Sequence, residues 1–250
     1  MRLQRRHLWA SSAIIKKTNM HKIDDQLAKV TARIDQAALA AGRNPQTVQL
    51  IAVSKTQPAQ ALRDAYAWGQ RAFGENYLQE ALDKQAQLAD LSELEWHFIG
   101  PIQSNKTRPI ATHFSWVHSI DRLKIAQRLS EQRPPELPPL NICVQANIDD
   151  EATKSGVSLA DLPALVAAIQ SLPRLQLRGL MAIPAAENNP AQQRAAFAKL
   201  REALIALNAQ GFSLDCLSMG MSGDLEAAIA EGATFVRVGT DIFGARPKLN

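Results

Sequence analysis

Residues 50–58 read LIAVSKTQP. Leu50, Ile51, Ala52 and Val53 form a short apolar run with β-branched members, and polar residues and Pro58 follow at once. A run of this length predicts a strand buried on both faces. Pro58 is placed to open a helix in its first turn, where its missing N–H is not needed. Lys55 therefore stands where a buried strand runs out. Its charge is either released into water at a strand end, or its amine is held partly out of water and can attack a carbonyl.

Moving outward from this stretch, the same strand-then-helix unit recurs. Strands are predicted at 48–54, 71–75, 94–99, 115–120, 141–147, 176–183, 215–219 and 234–239. Helices are predicted between them at 59–68, 77–89, 106–113, 122–132, 159–171, 191–210 and 223–231. An opening helix at 23–41 carries Ile23, Leu27, Val30, Ile34 and Ala38 at helical spacing and stops at Gly42. Such alternation implies right-handed crossovers and a parallel sheet. Eight units closing on themselves give an α/β fold, a single (β/α)8 TIM barrel with an extra N-terminal helix, over residues 20–250. The rival, an open doubly wound sheet, calls for G-x-G-x-x-G after the first strand, which this chain lacks. In such a barrel, strand ends at the mouth carry the chemistry. That shifts Lys55 toward its second reading.

Hydrophobic residues make up 46% and charged residues 21% of the 250, the composition of an ordinary globular protein. The net charge of +4 is unevenly spread. Arg2, Arg5, Arg6, Lys16 and Lys17 lie in residues 1–19, which contain no acid; the 28 basic residues less these five leave 23 against 24 acids. The basic excess thus sits in residues 1–19, expected to be a disordered leader or a mis-assigned start ahead of Met20, and not on the barrel. A nucleic-acid partner is not expected. No apolar run approaches the roughly 20 residues of a membrane span. Cys143 and Cys216 stand far apart with no CxxC pairing, which suits a reducing cytoplasm. The five histidines show no metal-ligand spacing, and His97 reads as a packed, satisfied strand histidine.

The second chemical signal is CLSMGMSGD at 216–224, a strand followed by small residues and then a helix. Ser222 is predicted as the N-cap, with unpaired backbone N–H groups after it facing an anion. The eighth strand ends Arg237-Val238-Gly239-Thr240, again small residues and a hydroxyl. Loops after the seventh and eighth strands form the usual phosphate cup of this barrel. The plainer alternative is that Ser222 only caps its helix and Gly239 only turns the chain; Asp224, an acid in that first turn, favours it. Asn76 suits equally a helix cap or a ligand contact. Arg237, inside an apolar strand, needs a carboxylate or a ligand as partner. A strand-end lysine, a phosphate cup and an interior arginine together describe an aldehyde bearing a phosphate, and pyridoxal 5′-phosphate fits.

AVSKTQP (52–58), FGENYLQE (73–80), WHFIGPIQSNK (96–106), KSG (154–156), RGLMAIP (178–184), LSMGMSGDLEAAI (217–229) and RVGTDIFGARP (237–247) together resemble the pyridoxal phosphate homeostasis proteins. These are single-domain relatives of the alanine racemase barrel. The resemblance runs from about residue 20 to 247. It implies that Lys55 carries the cofactor as a Schiff base, and that Ser218, Ser222, Gly239 and Thr240 surround its phosphate. It also implies that Asn76, Met219 and Arg237 line the ring, and that Lys154 matches a loop lysine tied to passing the cofactor on. The expected role is vitamin B6 homeostasis, buffering and delivering the cofactor to apo-enzymes, by a monomer without turnover and with no catalytic residue or metal. Two alternatives stand beside it: a racemase of low activity, and a Schiff-base aldolase on a phosphorylated sugar. The racemases place a tyrosine from a second domain opposite the lysine, and no such domain is expected here.

Overall fold

The protein is described by a computed structural model covering residues 4–149 and 155–244, with side chains from residue 22 onward. The side chains of the expected leader, residues 1–19, lie outside the described residues. The strands in chain order are β1 (Gln49–Val53), β2 (Ala72–Glu75), β3 (Glu95–Phe98), β4 (Trp116–Ile120), β5 (Leu140–Asn147), β6 (Val157–Ser158), β7 (Leu175–Met181), β8 (Cys216–Ser218) and β9 (Phe235–Val238). All pairings are parallel; β1 pairs with β2 and β9, and β4 pairs with β5, so the sheet closes. The two-residue β6 only extends β5 and takes no part in closure. Eight strands therefore make the barrel, as the alternation predicts. The helices are α1 (Gln4–Ala40), α2 (Ala59–Trp68), α3 (Leu78–Gln87), α4 (Thr107–His113), α5 (Leu123–Gln132), α6 (Leu162–Gln170), α7 (Pro190–Ala209), α8 (Leu225–Ala230) and α9 (Thr240–Phe243). The alternation does not disclose β6 and α9; two and four residues are too few for a periodic signal.

The period of two sorts each strand's residues between two cores. Ile51, Ala72, Trp116, Cys143, Met181, Cys216 and Phe235 form a cluster inside the barrel. Their strand neighbours Ala52, Phe73, Val117, Ile142, Leu180, Leu217 and Val236 face the helices in the larger core. Each fully buried Leu, Ile or Phe of that outer layer contributes about 1.5–3 kcal/mol. The inner cluster also joins residues that the sequence separates: the thiols of Cys143 and Cys216 come within 3.6 Å of each other, both as free cysteines.

Two predicted caps move. α8 begins at Leu225 with Asp224 at its N-cap, so Ser222 is not the cap but part of the preceding turn. α3 is capped by Tyr77 rather than Asn76. In both cases the helix starts later than its polar signal, and the displaced residue is left in the loop at the barrel mouth.

Candidate functional site

Ile51 faces the barrel interior, and the strand period carries the inward face on through Val53 to Lys55, two residues past the end of β1. Lys55 is half-buried. The turn that holds it is unusual: Thr56, a β-branched residue, has φ 64°. A bulky L-residue in this left-handed region is strained, and persists only where its surroundings over-determine it. Here they do. The Thr56 N–H donates to Glu80 Oε1 at 2.5 Å, and Glu80 pairs with Lys84 at 2.6 Å. Lys84 is buried and donates to the Ser54 carbonyl at 2.6 Å and to Glu75 Oε1 at 2.7 Å. The Ser54 hydroxyl donates to the same Glu75 oxygen at 2.6 Å. Burial pushes the Glu75 pKa up, and the Lys84 ammonium opposes that rise. The cluster clamps the backbone on both sides of Lys55 to β2 and α3.

The opposite wall comes from the ends of β8 and β9. Gly239 follows β9 and caps α9; a Cβ there would lie 3.0 Å from the Val53 carbonyl oxygen. Any side chain at this position would push the β9 loop away from the Lys55 strand. Thr240, exposed, begins α9. After β8 the chain turns at Gly220 (φ 92°) and runs through Ser222 to Asp224. The Asp224 carboxylate is turned back to accept from the Met221 N–H at 2.5 Å, and burial raises its pKa. Burial works against the charge of this carboxylate, while the hydrogen bond from Met221 favours it.

Arg33, on α1, ties the two loops together. Its guanidinium donates to the Ser222 carbonyl at 3.0 Å, to Asp241 of α9 at 2.7 Å and to Glu226 of α8 at 2.9 Å. Nothing in the sequence marks Arg33, because its partners lie about 190 to 210 residues away along the chain. Through Arg33, the extra N-terminal helix holds the two loops of the cup in one arrangement.

Between these walls lies Arg237. It pairs in register with Ile51, four residues before Lys55, and so sits deeper in the barrel than the lysine. Arg237 is buried; it donates to Ser218 Oγ at 2.8 Å and to the Ala182 carbonyl at 3.0 Å. Burial draws its pKa down to about 10, with Asp224 opposing, so the group is charged at neutral pH. Among the described residues no carboxylate forms an ion pair with it. Its described partners are a hydroxyl and a backbone carbonyl, not the carboxylate the sequence allows for.

The structure thus brings Lys55, Asn76, Ser222, Arg237, Gly239 and Thr240 to the strand ends at one end of the barrel. It does not bring Met219 there; Met219 is wholly buried in the outer hydrophobic layer. Ser218 is also fully buried, with its hydroxyl engaged by Arg237 and His118, below the cup rather than in it. Lys154 lies outside the described residues. The residues present fit a phosphorylated aldehyde. Asn76 Oδ1, at the end of β2, and Thr56 Oγ1, next to Lys55 in the chain, are buried with no hydrogen-bond partner. A glycine keeps the cup against the lysine strand, and a buried cation lies below. An orphaned buried acceptor costs about 1–3 kcal/mol unless a ligand satisfies it.

Residues 26–247 match the family described as alanine racemase, N-terminal domain. A pyridoxal phosphate homeostasis protein of Pseudomonas aeruginosa is 67% identical over 227 residues, covering 91% of this chain and 97% of that protein. Its counterpart in Escherichia coli K12 is 54% identical over 229 residues, covering 91% and 98%. Among solved structures, PipY of Synechococcus elongatus with PLP bound shares 42% identity and a TM-score of 0.79, covering 89% of this chain and all of that one. Alanine racemase from Corynebacterium glutamicum shares the fold, with a TM-score of 0.68 at 19% identity over 64% of its length. The chain belongs to the alanine racemase N-terminal domain family, among the pyridoxal phosphate homeostasis proteins.

Proposed function

We propose that this chain binds pyridoxal 5′-phosphate through the Lys55 amine and serves vitamin B6 homeostasis, buffering the cofactor and delivering it without turnover. The observation that carries the reading is the half-buried Lys55, on its strained turn, above a buried arginine that has no carboxylate in contact among the described residues. The names of the relatives and the PLP-bound PipY structure support it. The cofactor supplies an aldehyde carbon that a neutral amine attacks. Ser222, Gly239 and Thr240 would hold the phosphate, within the arrangement Arg33 maintains. Asn76 and Arg237 would meet the ring, with Arg237 donating to the ring nitrogen. Of the family's cofactor contacts, Ser218 would act through Arg237, Met219 through packing, and Lys154 in handing the cofactor on.

Turnover needs proton-transfer groups on both faces of the ring. The described tyrosines are poorly placed for the second face. The Tyr66 hydroxyl donates to Glu93 on the outside of the barrel, and Tyr77 is exposed at the start of α3. An arginine at the ring nitrogen would also leave that nitrogen unprotonated and the ring a weak electron sink. We place the unit of function at residues 20–250, acting as a cytoplasmic monomer that meets apo-enzymes transiently. Among the described residues no helix is long and apolar enough to cross a membrane.

The test is to load the protein with pyridoxal 5′-phosphate and mix it with an apo-enzyme that requires the cofactor. Return of the recipient's activity, with L-alanine incubated beside the loaded protein left unracemised, is the expected result. Racemisation well above that given by pyridoxal 5′-phosphate alone would replace the carrier reading with the enzymatic one.

A further inference from the structure

Arg237 does not end at Ser218. Ser218 Oγ lies 2.8 Å from His118 Nδ1, His118 Nε2 lies 2.9 Å from His97 Nδ1, and His97 Nε2 lies 3.2 Å from Glu95 Oε2. The chain crosses the barrel interior through β9, β8, β4 and β3. It ends at the first residue of β3, where the Glu95 side chain is 36% exposed. Trp116 Nε1 and Gln49 Nε2 also donate to Glu95, at 3.0 and 3.3 Å.

The direction of every hydrogen bond follows from the two ends. A guanidinium only donates, and an ionised carboxylate only accepts. Glu95 already accepts from Trp116 and Gln49, so His97 Nε2 must carry its proton and donate to Glu95. A neutral His97 then offers a lone pair at Nδ1, which accepts from a protonated His118 Nε2. His118 Nδ1 is left as an acceptor, so the Ser218 hydroxyl donates to it and accepts from Arg237. Each bond holds one proton, and each side chain has one role. Both imidazoles are fully buried, and burial lowers their pKa values, in keeping with the neutral forms. Stacking of His97 on Trp116, with ring planes 8° apart, and the edge of Phe235 against both histidines fix the ring orientations.

We propose that Ser218, His118 and His97 are positioning residues that form, with Glu95, a one-way hydrogen-bond relay holding Arg237 at the floor of the mouth, so that a change at Glu95 reaches whatever binds over Arg237. The relay itself stands on the geometry. Its effect on the bound group rests on the reading of Arg237 as the ring-nitrogen donor.

The experiment uses the full chain as wild type, Glu95→Gln, Ser218→Ala and Ser218→Thr, with histidine ring nitrogens labelled with 15N. In the protein without added cofactor at pH 7, His97 and His118 should both be neutral and protonated at Nε2. In Glu95→Gln both should depart from that single tautomer, since a glutamine amide cannot accept from all three donors. After pyridoxal 5′-phosphate is added, Glu95→Gln should shift the absorption maximum although it does not touch the site. Ser218→Ala should bind the cofactor about tenfold more weakly, as expected for losing a hydrogen bond to a charged donor, and Ser218→Thr should restore it. Charged histidines, or the opposite tautomers, in the wild type would overturn the relay. Altered tautomers in Glu95→Gln with an unchanged absorption band would overturn the coupling. If no variant takes up the cofactor, the proposed function fails, and the histidine signals alone still decide the relay.

Discussion

Behind the Lys55 turn lies a compact charged cluster, Glu75, Lys84 and Glu80 with Ser54. Below Arg237 lies a neutral chain, Ser218, His118 and His97, whose charges stand only at its ends. The charged cluster is local, joining β1, β2 and α3, and it holds a strained backbone turn in place. The neutral chain is long-range, joining four strands through the barrel interior, and it holds one charged side chain. A buried ion pair fails abruptly when one partner is removed, because the other charge is left uncompensated. A neutral relay fails by steps, one hydrogen bond at a time. The two sides of the mouth should therefore respond very differently to substitution and to acid.

The largest effect is expected on the charged side. Lys84→Met leaves Glu75 buried beside Ser54 without its cation and should cost about 3–5 kcal/mol in chemical denaturation. Adding Glu75→Gln should recover most of that loss, since no isolated charge then remains. If the double variant is as unstable as the single one, the cluster acts through packing alone.

Acid should act next, and mainly on the neutral side. The folded pKa values of His97 and His118 lie below the ordinary 6.5, so between the two values the unfolded chain binds more protons than the folded one. Stability is therefore full above about 6.5 and falls as pH drops, by up to about 1.4 kcal/mol per pH unit for each histidine. Glu95 is depressed, chiefly by its hydrogen bond from His97; its contribution is present above the usual 4.5 and is lost as pH falls below it. Replacing His118 with Phe should remove about half of the slope just below pH 6.5, as read from denaturation midpoints across pH. An unchanged slope would mean that the histidines are not buried as neutral groups.

The smallest effect on stability belongs to Arg33→Ala. Arg33 is partly exposed and its pairs are screened, so the loss should be about 1 kcal/mol or less. Its effect should show in binding instead: the cup loses the tie between the β8 loop and α9, and affinity for pyridoxal 5′-phosphate should fall more than stability does. Equal small losses in both would reduce Arg33 to a surface ion pair.

These contrasts also mark what the sequence could and could not disclose. The barrel was legible because each strand is a short apolar run closed by small or polar residues, and each helix an amphipathic stretch. Lys55, Gly239 and Thr240 were legible for the same reason: they stand at strand ends, where the fold puts chemistry. The supports were not. Lys84 looks like any helix lysine until β2 brings Glu75 beneath it. His97 was legible as a satisfied strand histidine, but its partner His118 is 21 residues on, and Ser218 a further 100. No spacing rule connects them; the closure of the barrel does. Met219 and Ser218 stand side by side in the motif at the end of β8, and strand alternation sends the first into the outer layer and the second into the barrel interior beside Arg237.

The central claim is that Lys55 carries the cofactor. The most direct measurement is the absorption spectrum of the protein with pyridoxal 5′-phosphate, before and after borohydride reduction, followed by peptide mapping. The expected result is an imine band that reduction fixes onto the peptide containing Lys55, and no band in Lys55→Ala. A protein that stays colourless, or a label fixed on another lysine, would contradict it.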